Sequence, residues 1–341
     1  MKAANADAQA VSPPADKAEA MAASNNLPVE ATKTDGRKVA RFFDLQKKQF
    51  ERCLHVGFDC DEKPIRAHSI QNSKILDLLQ RDNHVIAPLP YVDPATGPRV
   101  KLKSIGRNDA STFTGLCAKH DKELFRLADT EPLDTNNATQ LAQLAYRAVM
   151  RELHVCVEGA YRIDLLHQQH IRDGLVDKDT PSPSTVFWDK GWRVIRYRGV
   201  HFDKPMAAGK NPPLIHRIVE LKDQSPTLAA ASLFSVEIDA KGDIIGPALT
   251  VAPVDTEKTV AIISFPRKQE AKVEEHLSAL LNATEPAEKK RELSRLIIER
   301  VENFVLSPPF HDSMPEEKEK RVIDAYEGLA KLEDGTDFSL F

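Results

Sequence analysis

Between residues 138 and 170 apolar side chains recur every three or four positions. Leu141, Ala145, Val149, Leu153, Cys156, Ala160 and Ile163 form one stripe, which predicts a single long helix capped by Asn136 or Asn137. The pattern then changes. Segments 192–200, 214–221, 231–238, 248–252 and 259–265 are rich in β-branched and aromatic residues, and Asp239-Ala240-Lys241-Gly242-Asp243 supplies a turn between two of them, so this region reads as a mostly antiparallel sheet. Helices are expected over 269–281, 286–304 and 315–332. Ahead of the long helix the pattern is broken into short pieces. These are an extended stretch over 63–70, a helix carrying Ile75, Leu76, Leu78 and Leu79 behind a cap at Asn72 or Ser73, a hairpin from 84–87 and 100–103, and a helix opening at Cys117.

Residues 1–38 show no sustained period and are rich in Ala, Ser, Asn, Pro and Lys, so they are expected to be a disordered tail. Bulky anchors begin at Phe42, Phe43, Leu45 and Phe50. With 341 residues, 41% hydrophobic and 29% charged, the chain has a soluble composition and room for two domains of ordinary size. Its longest apolar runs fall far short of the roughly 20 residues a spanning helix needs, and no basic patch followed by an apolar stretch opens it. A cytoplasmic location is expected. The net charge of −4 argues against a protein wrapped in nucleic acid, but it hides an asymmetry. Residues 41–130 carry 15 Lys and Arg against 12 Asp and Glu, whereas 266–341 carry 12 against 17. The first region can therefore meet nucleic acid, and the acidic tail suits a protein partner.

Candidate chemistry concentrates in that first region. Cys53 and Cys60, with six residues between them, are followed by the compact pair Cys117-x-x-His120. Soft ligands in two pairs brought together by folding are how small modules capture Zn²⁺. One pair on a loop and the other at a helix N-terminus is the arrangement of a treble-clef site, where free N–H groups favour thiolate. A Cys53–Cys60 disulfide is the competing reading, and His55 can replace one cysteine as ligand. Four protein ligands close a tetrahedral shell and make the metal structural. The predicted class is thus α+β: a treble-clef-like zinc-binding module over 39–135, a helical connector over 136–179, and a C-terminal domain of antiparallel sheet and packed helices over 180–341.

Other features are weaker. Cys156 belongs to the long apolar stripe and reads as a core thiol. His167 and His170 read as a solvated face. Trp188, Trp192, Arg193, Arg196, Tyr197 and Arg198 mix aromatic and cationic groups as a nucleic-acid surface does, but a half-exposed strand explains them equally well. There is no phosphate-binding glycine loop and no G-x-S-x-G turn.

The run Ala67-His68-Ser69-Ile70-Gln71, followed downstream by Leu116-Cys117-Ala118-Lys119-His120-Asp121, resembles the zinc-stapled HNH, or His-Me finger, nucleases. In that family a histidine at a strand end activates water, and a residue just after the second zinc pair helps hold a catalytic divalent metal. The resemblance implies His68 as general base, Cys117 and His120 as structural ligands, and Asp121 as a ligand to Mg²⁺ or Mn²⁺ in place of the usual histidine. The string from Ser111 to Asp121 also resembles the N-terminal module of uncharacterised bacterial proteins, which implies a fold and no activity. Read from the residues alone, His68 is a histidine donating to a backbone carbonyl, and Asp121 is an acid favoured in the first turn of its helix. The expectation is a zinc-stabilised recognition protein for nucleic acid or a protein partner, with a divalent-metal-dependent nuclease as the alternative.

Overall fold

The computed structural model describes residues 50–93, 96–333 and 337–341. The expected tail over 1–38 and the anchors Phe42, Phe43 and Leu45 lie outside the described residues. After β1 (Ala67–His68) come a helical stretch of two short pieces (Asn72–Leu76 and Asp77–Leu79), the hairpin β2 (His84–Asp93) and β3 (Gly97–Gly106), β4 (Thr112–Phe113), and α1 (Ala118–Thr130). β4 returns to pair antiparallel with β1, placing His68 opposite Thr112. The hairpin thus fills the long interval between His68 and Cys117.

The expected long helix is α2 (Ala138–Arg172), and the Asn137 side chain caps it by accepting from the Gln140 N–H. α3 (Ser184–Arg198) follows. The expected strand over 192–200 is therefore helical. Its buried residues Ser184, Gly191, Val194, Tyr197 and Arg198 recur at helical spacing, and Gly191 lets the helix approach Cys156 of α2. Beyond α3 come β5 (Leu214–Lys222), β6 (Leu228–Leu233), the ribbon β7 (Glu237–Ile238) and β8 (Ile244–Ile245), β9 (Ala248–Pro253) and β10 (Lys258–Pro266). The C-terminal part adds α4 (Glu270–His276), α5 (Ser278–Asn282), α6 (Pro286–Arg300), β11 (Phe304–Leu306) and α7 (Glu316–Tyr326).

Seven strands form one antiparallel sheet in the order β3-β2-β11-β6-β9-β10-β5. Its faces divide by alternation along β10. Ala261, Ile263 and Phe265 join Leu293 and Ile297 of α6, while Val260 and Ile262 join Leu141 and Leu144 of α2. With helices on both faces the central strands are buried throughout, so they read as continuous apolar runs. The class is α+β. β2, from the segment that carries the candidate ligands, bonds to β11 from the C-terminal part, with Ile86 opposite Leu306.

Candidate metal centre

Cys53, Cys60, Cys117 and His120 converge: their ligand atoms all lie within 4.8 Å of one another. Two backbone features build the centre. The loop from Cys53 to Cys60 reverses through Gly57 (φ +91°) and Phe58 (φ +55°), and the Phe58 N–H donates to the His55 carbonyl. It is pinned to the segment before α1, where Leu54 N–H donates to Gly115 O at 2.8 Å and Ile65 N–H to Leu116 O at 2.8 Å. Cys117 is the N-cap residue of α1, and its backbone N–H donates to Cys53 Sγ at 3.3 Å. His120 follows in the first turn.

The spacings suit one tetrahedral ion. Sulfur at about 2.3 Å and nitrogen at about 2.0–2.1 Å from a metal set S···S edges of about 3.8 Å and S···N edges of about 3.5 Å. Cys60 Sγ and Cys117 Sγ are 3.9 Å apart, and His120 Nδ1 lies 3.4 Å from Cys53 Sγ and 3.3 Å from Cys117 Sγ. All four cysteines of the chain are free thiols, so the Cys53–Cys60 disulfide is not formed. The group is positioned to hold a metal ion such as zinc. Without metal, burial pushes the Cys53 thiol up to about 11. Burial also opposes ionisation of Cys117, but N–H groups of His120 and Lys119 and the neighbouring thiols outweigh it and hold Cys117 below the ordinary value. A thiolate therefore forms first at the helix N-terminus.

His55 supports the centre from outside the set. Its ring stacks on His120 with centroids 3.6 Å apart and planes 9° apart. Arg198, buried at the end of α3, donates to the Leu54 carbonyl at 2.6 Å and to Asp203 at 2.9 Å, so a residue read as part of a nucleic-acid surface instead clamps the ligand loop. Tyr197 is buried as well, its hydroxyl bonded to Gly246 O at 2.9 Å. Cys156 is a core thiol, 1% exposed.

Asp121 directly follows His120 in the first turn of α1, and His68 lies on β1 opposite Thr112. A carbonyl only accepts, so the 3.0 Å contact of His68 Nδ1 with Ala110 O puts the proton on Nδ1 and leaves Nε2 as the free acceptor. Burial holds this imidazole below its ordinary value. Asp121 Oδ1 is buried without a hydrogen-bond partner, and burial raises its carboxyl. Both groups feel the charge of Arg147, a buried guanidinium held by two 2.7 Å bonds to Asp129. Sequence reading missed Arg147 because it sits among the apolar residues of α2, and nothing local marks its partner.

Compared with known proteins, the chain matches no family model, no curated relative and no solved structure. Among the described residues, no helix is long and apolar enough to cross a membrane.

Proposed function

We propose that Cys53, Cys60, Cys117 and His120 bind a structural Zn²⁺ in a treble-clef-like module that presents a recognition surface to nucleic acid or a protein partner. The observation that carries this reading is the closed Cys₃His shell, whose four donors leave no coordination position for a substrate. The loop that the ion would hold rigid turns apolar side chains to solvent. Val56 is 42%, Phe58 43% and Ile65 39% exposed, and the same part of the chain exposes charges of both signs, Arg52, Lys63 and Lys119 with Glu51, Asp59, Asp61 and Glu62. Elemental mass spectrometry of untagged protein should find about one zinc per chain, and none in Cys117→Ser. Folded, metal-free wild-type protein would overturn the reading. Binding to a labelled oligonucleotide should weaken as salt rises; no binding at low salt leaves the protein partner.

A second reading, divalent-metal-dependent phosphodiester cleavage, is supported by two separate features, the buried and unpartnered Oδ1 of Asp121 and the free Nε2 of His68. Here His68 takes a proton from water and Asp121 holds Mg²⁺ or Mn²⁺, which supplies charge stabilisation at the phosphoryl oxygens. Cleavage should require added divalent metal and disappear in His68→Ala with zinc content retained. Undiminished cleavage by that variant rejects the assignment.

A further inference from the structure

Both tryptophans of the chain lie one turn apart on the outer face of α3, and both face solvent: Trp188 is 40% and Trp192 57% exposed. Tryptophan is a residue that folding usually buries in large part. Four residues apart, the two indoles point about 40° from each other around the helix and form a short apolar strip. The opposite side of α3 packs on α2, so this strip is not a core face displaced from its partner. Exposed indole pairs of this kind are the anchors on which protein interfaces concentrate their affinity.

The charges around the strip identify the partner. Arg193 pairs with Asp189 at 2.7 Å, and Arg196 pairs with Asp243 at 2.6 Å while donating to the Gly242 carbonyl at 2.8 Å. Two cations and two anions, each held in place, leave this face without net charge. A nucleic-acid surface needs uncompensated cations against the phosphates. A surface that meets its own copy about a two-fold axis needs both signs on one patch, because each residue type must find its complement on the same patch of the partner. With the apolar strip central and the Arg–Asp pairs at its rim, antiparallel apposition of two α3 helices buries the indoles and sets Arg against Asp across the interface.

We propose that this face of α3 docks a second copy of the chain about a two-fold axis, with Trp188 and Trp192 at its centre. Because the chain has no other tryptophan, intrinsic tryptophan emission reports on this face alone. The test combines sedimentation velocity of the full chain with emission spectra over a dilution series. The expected result is a monomer–dimer equilibrium, a blue shift of emission through the same concentration range, and association weakened about tenfold or more by Trp192→Glu and by Trp188→Arg. Far-UV circular dichroism of both variants should match wild type. A monomer at every concentration overturns the proposal, as does a dimer indifferent to both substitutions. Emission that responds to a single-stranded oligonucleotide without self-association reassigns the face to nucleic acid. Emission that is blue-shifted at all concentrations, and red-shifted on removal of residues 1–49, reassigns it to that segment.

Discussion

Gly246 shows how a single residue governs a junction that composition does not mark. It stands between β8 and β9, its N–H bonded to Gln269 Oε1 at 3.1 Å and its carbonyl to the buried Tyr197 hydroxyl at 2.9 Å. A Cβ there would lie 2.0 Å from the Phe234 carbonyl oxygen, a backbone atom that cannot swing aside. Gly246→Ala should therefore lower stability by about 2–3 kcal/mol, as overpacking of a closed site does, and denaturant midpoints with an unchanged m-value would check it. As one of 14 glycines in the chain it carries no local signal, because its neighbours Phe234 and Tyr197 are distant in sequence. The candidate metal ligands are the opposite case. Their chemistry is intrinsic to thiol and imidazole, so residue type and spacing were enough to single out the four residues that converge. Arg198 was legible only as a cation; its role depends on where α3 brings it.

At the scale of elements, period and caps carried most of the reading. α2, β5, β9 and β10 fall close to their expected positions, because each has a sustained run of one pattern, whereas the strand expected over 231–238 is split into β6, which begins at Leu228 and ends at Leu233, and the two-residue β7. Two failures have physical causes. Segment 192–200 contains β-branched and aromatic residues, but its inward positions follow helical spacing once Ser184 and Gly191 are counted. β11 was missed, and the preceding helix was carried on to Phe304 instead of ending at Arg300, because the three residues of β11 are all buried and show no alternation. Contacts between elements are less legible still. Glu327, just after α7, is fully buried at its side chain and accepts from the Val100 N–H and from Arg99 Nε at 2.8 Å, so it occupies an edge donor of β3. Glu327→Ala should cost about 2 kcal/mol by leaving the Val100 N–H and Arg99 Nε without their acceptor, although Arg99 keeps Asp324 at 3.5 Å, with Glu327→Gln intermediate, as thermal melts would show. Similarly, Arg198→Met removes the clamp from α3 onto the Leu54 carbonyl. It should weaken metal retention about tenfold in competition with a chelator, while the helix content seen by circular dichroism stays constant.

At the scale of the whole molecule, packing and charge cross the divisions that composition suggests. Cys53, Leu54, Phe113, Leu116 and Phe125 share one apolar cluster with α2, α3 and residues Leu214, Leu233 and Ala248, so the ligand loop is continuous with the larger core. Three histidines in that larger structure set its response to acid. His154 on α2 meets the Thr114 hydroxyl at 3.0 Å, His201 lies edge-on to Tyr197, and His216 on β5 meets Ser264 Oγ at 2.8 Å. Burial drives each from 6.5 down to about 4, helped at His154 by Arg151 and Arg162 and at His201 by Lys268, with Asp243 opposing. His154 is therefore neutral near pH 7, and its 3.8 Å approach to Glu158 is not an ion pair there. Since the unfolded chain binds these protons more readily than the folded one, their contribution to stability is present above pH 6.5 and is lost as pH falls from 6.5 toward 4. By pH 5 His154 should have forfeited up to about 2 kcal/mol, and the half-buried His201 and His216 less, because solvent screens them. Urea midpoints measured from pH 7 to pH 4.5 should fall steeply below about pH 6.5. In His154→Leu the absolute stability changes through the lost Thr114 bond, but the slope against pH should become shallower, as one depressed histidine is removed. An unchanged slope would place the protons elsewhere and remove His154 from the acid response.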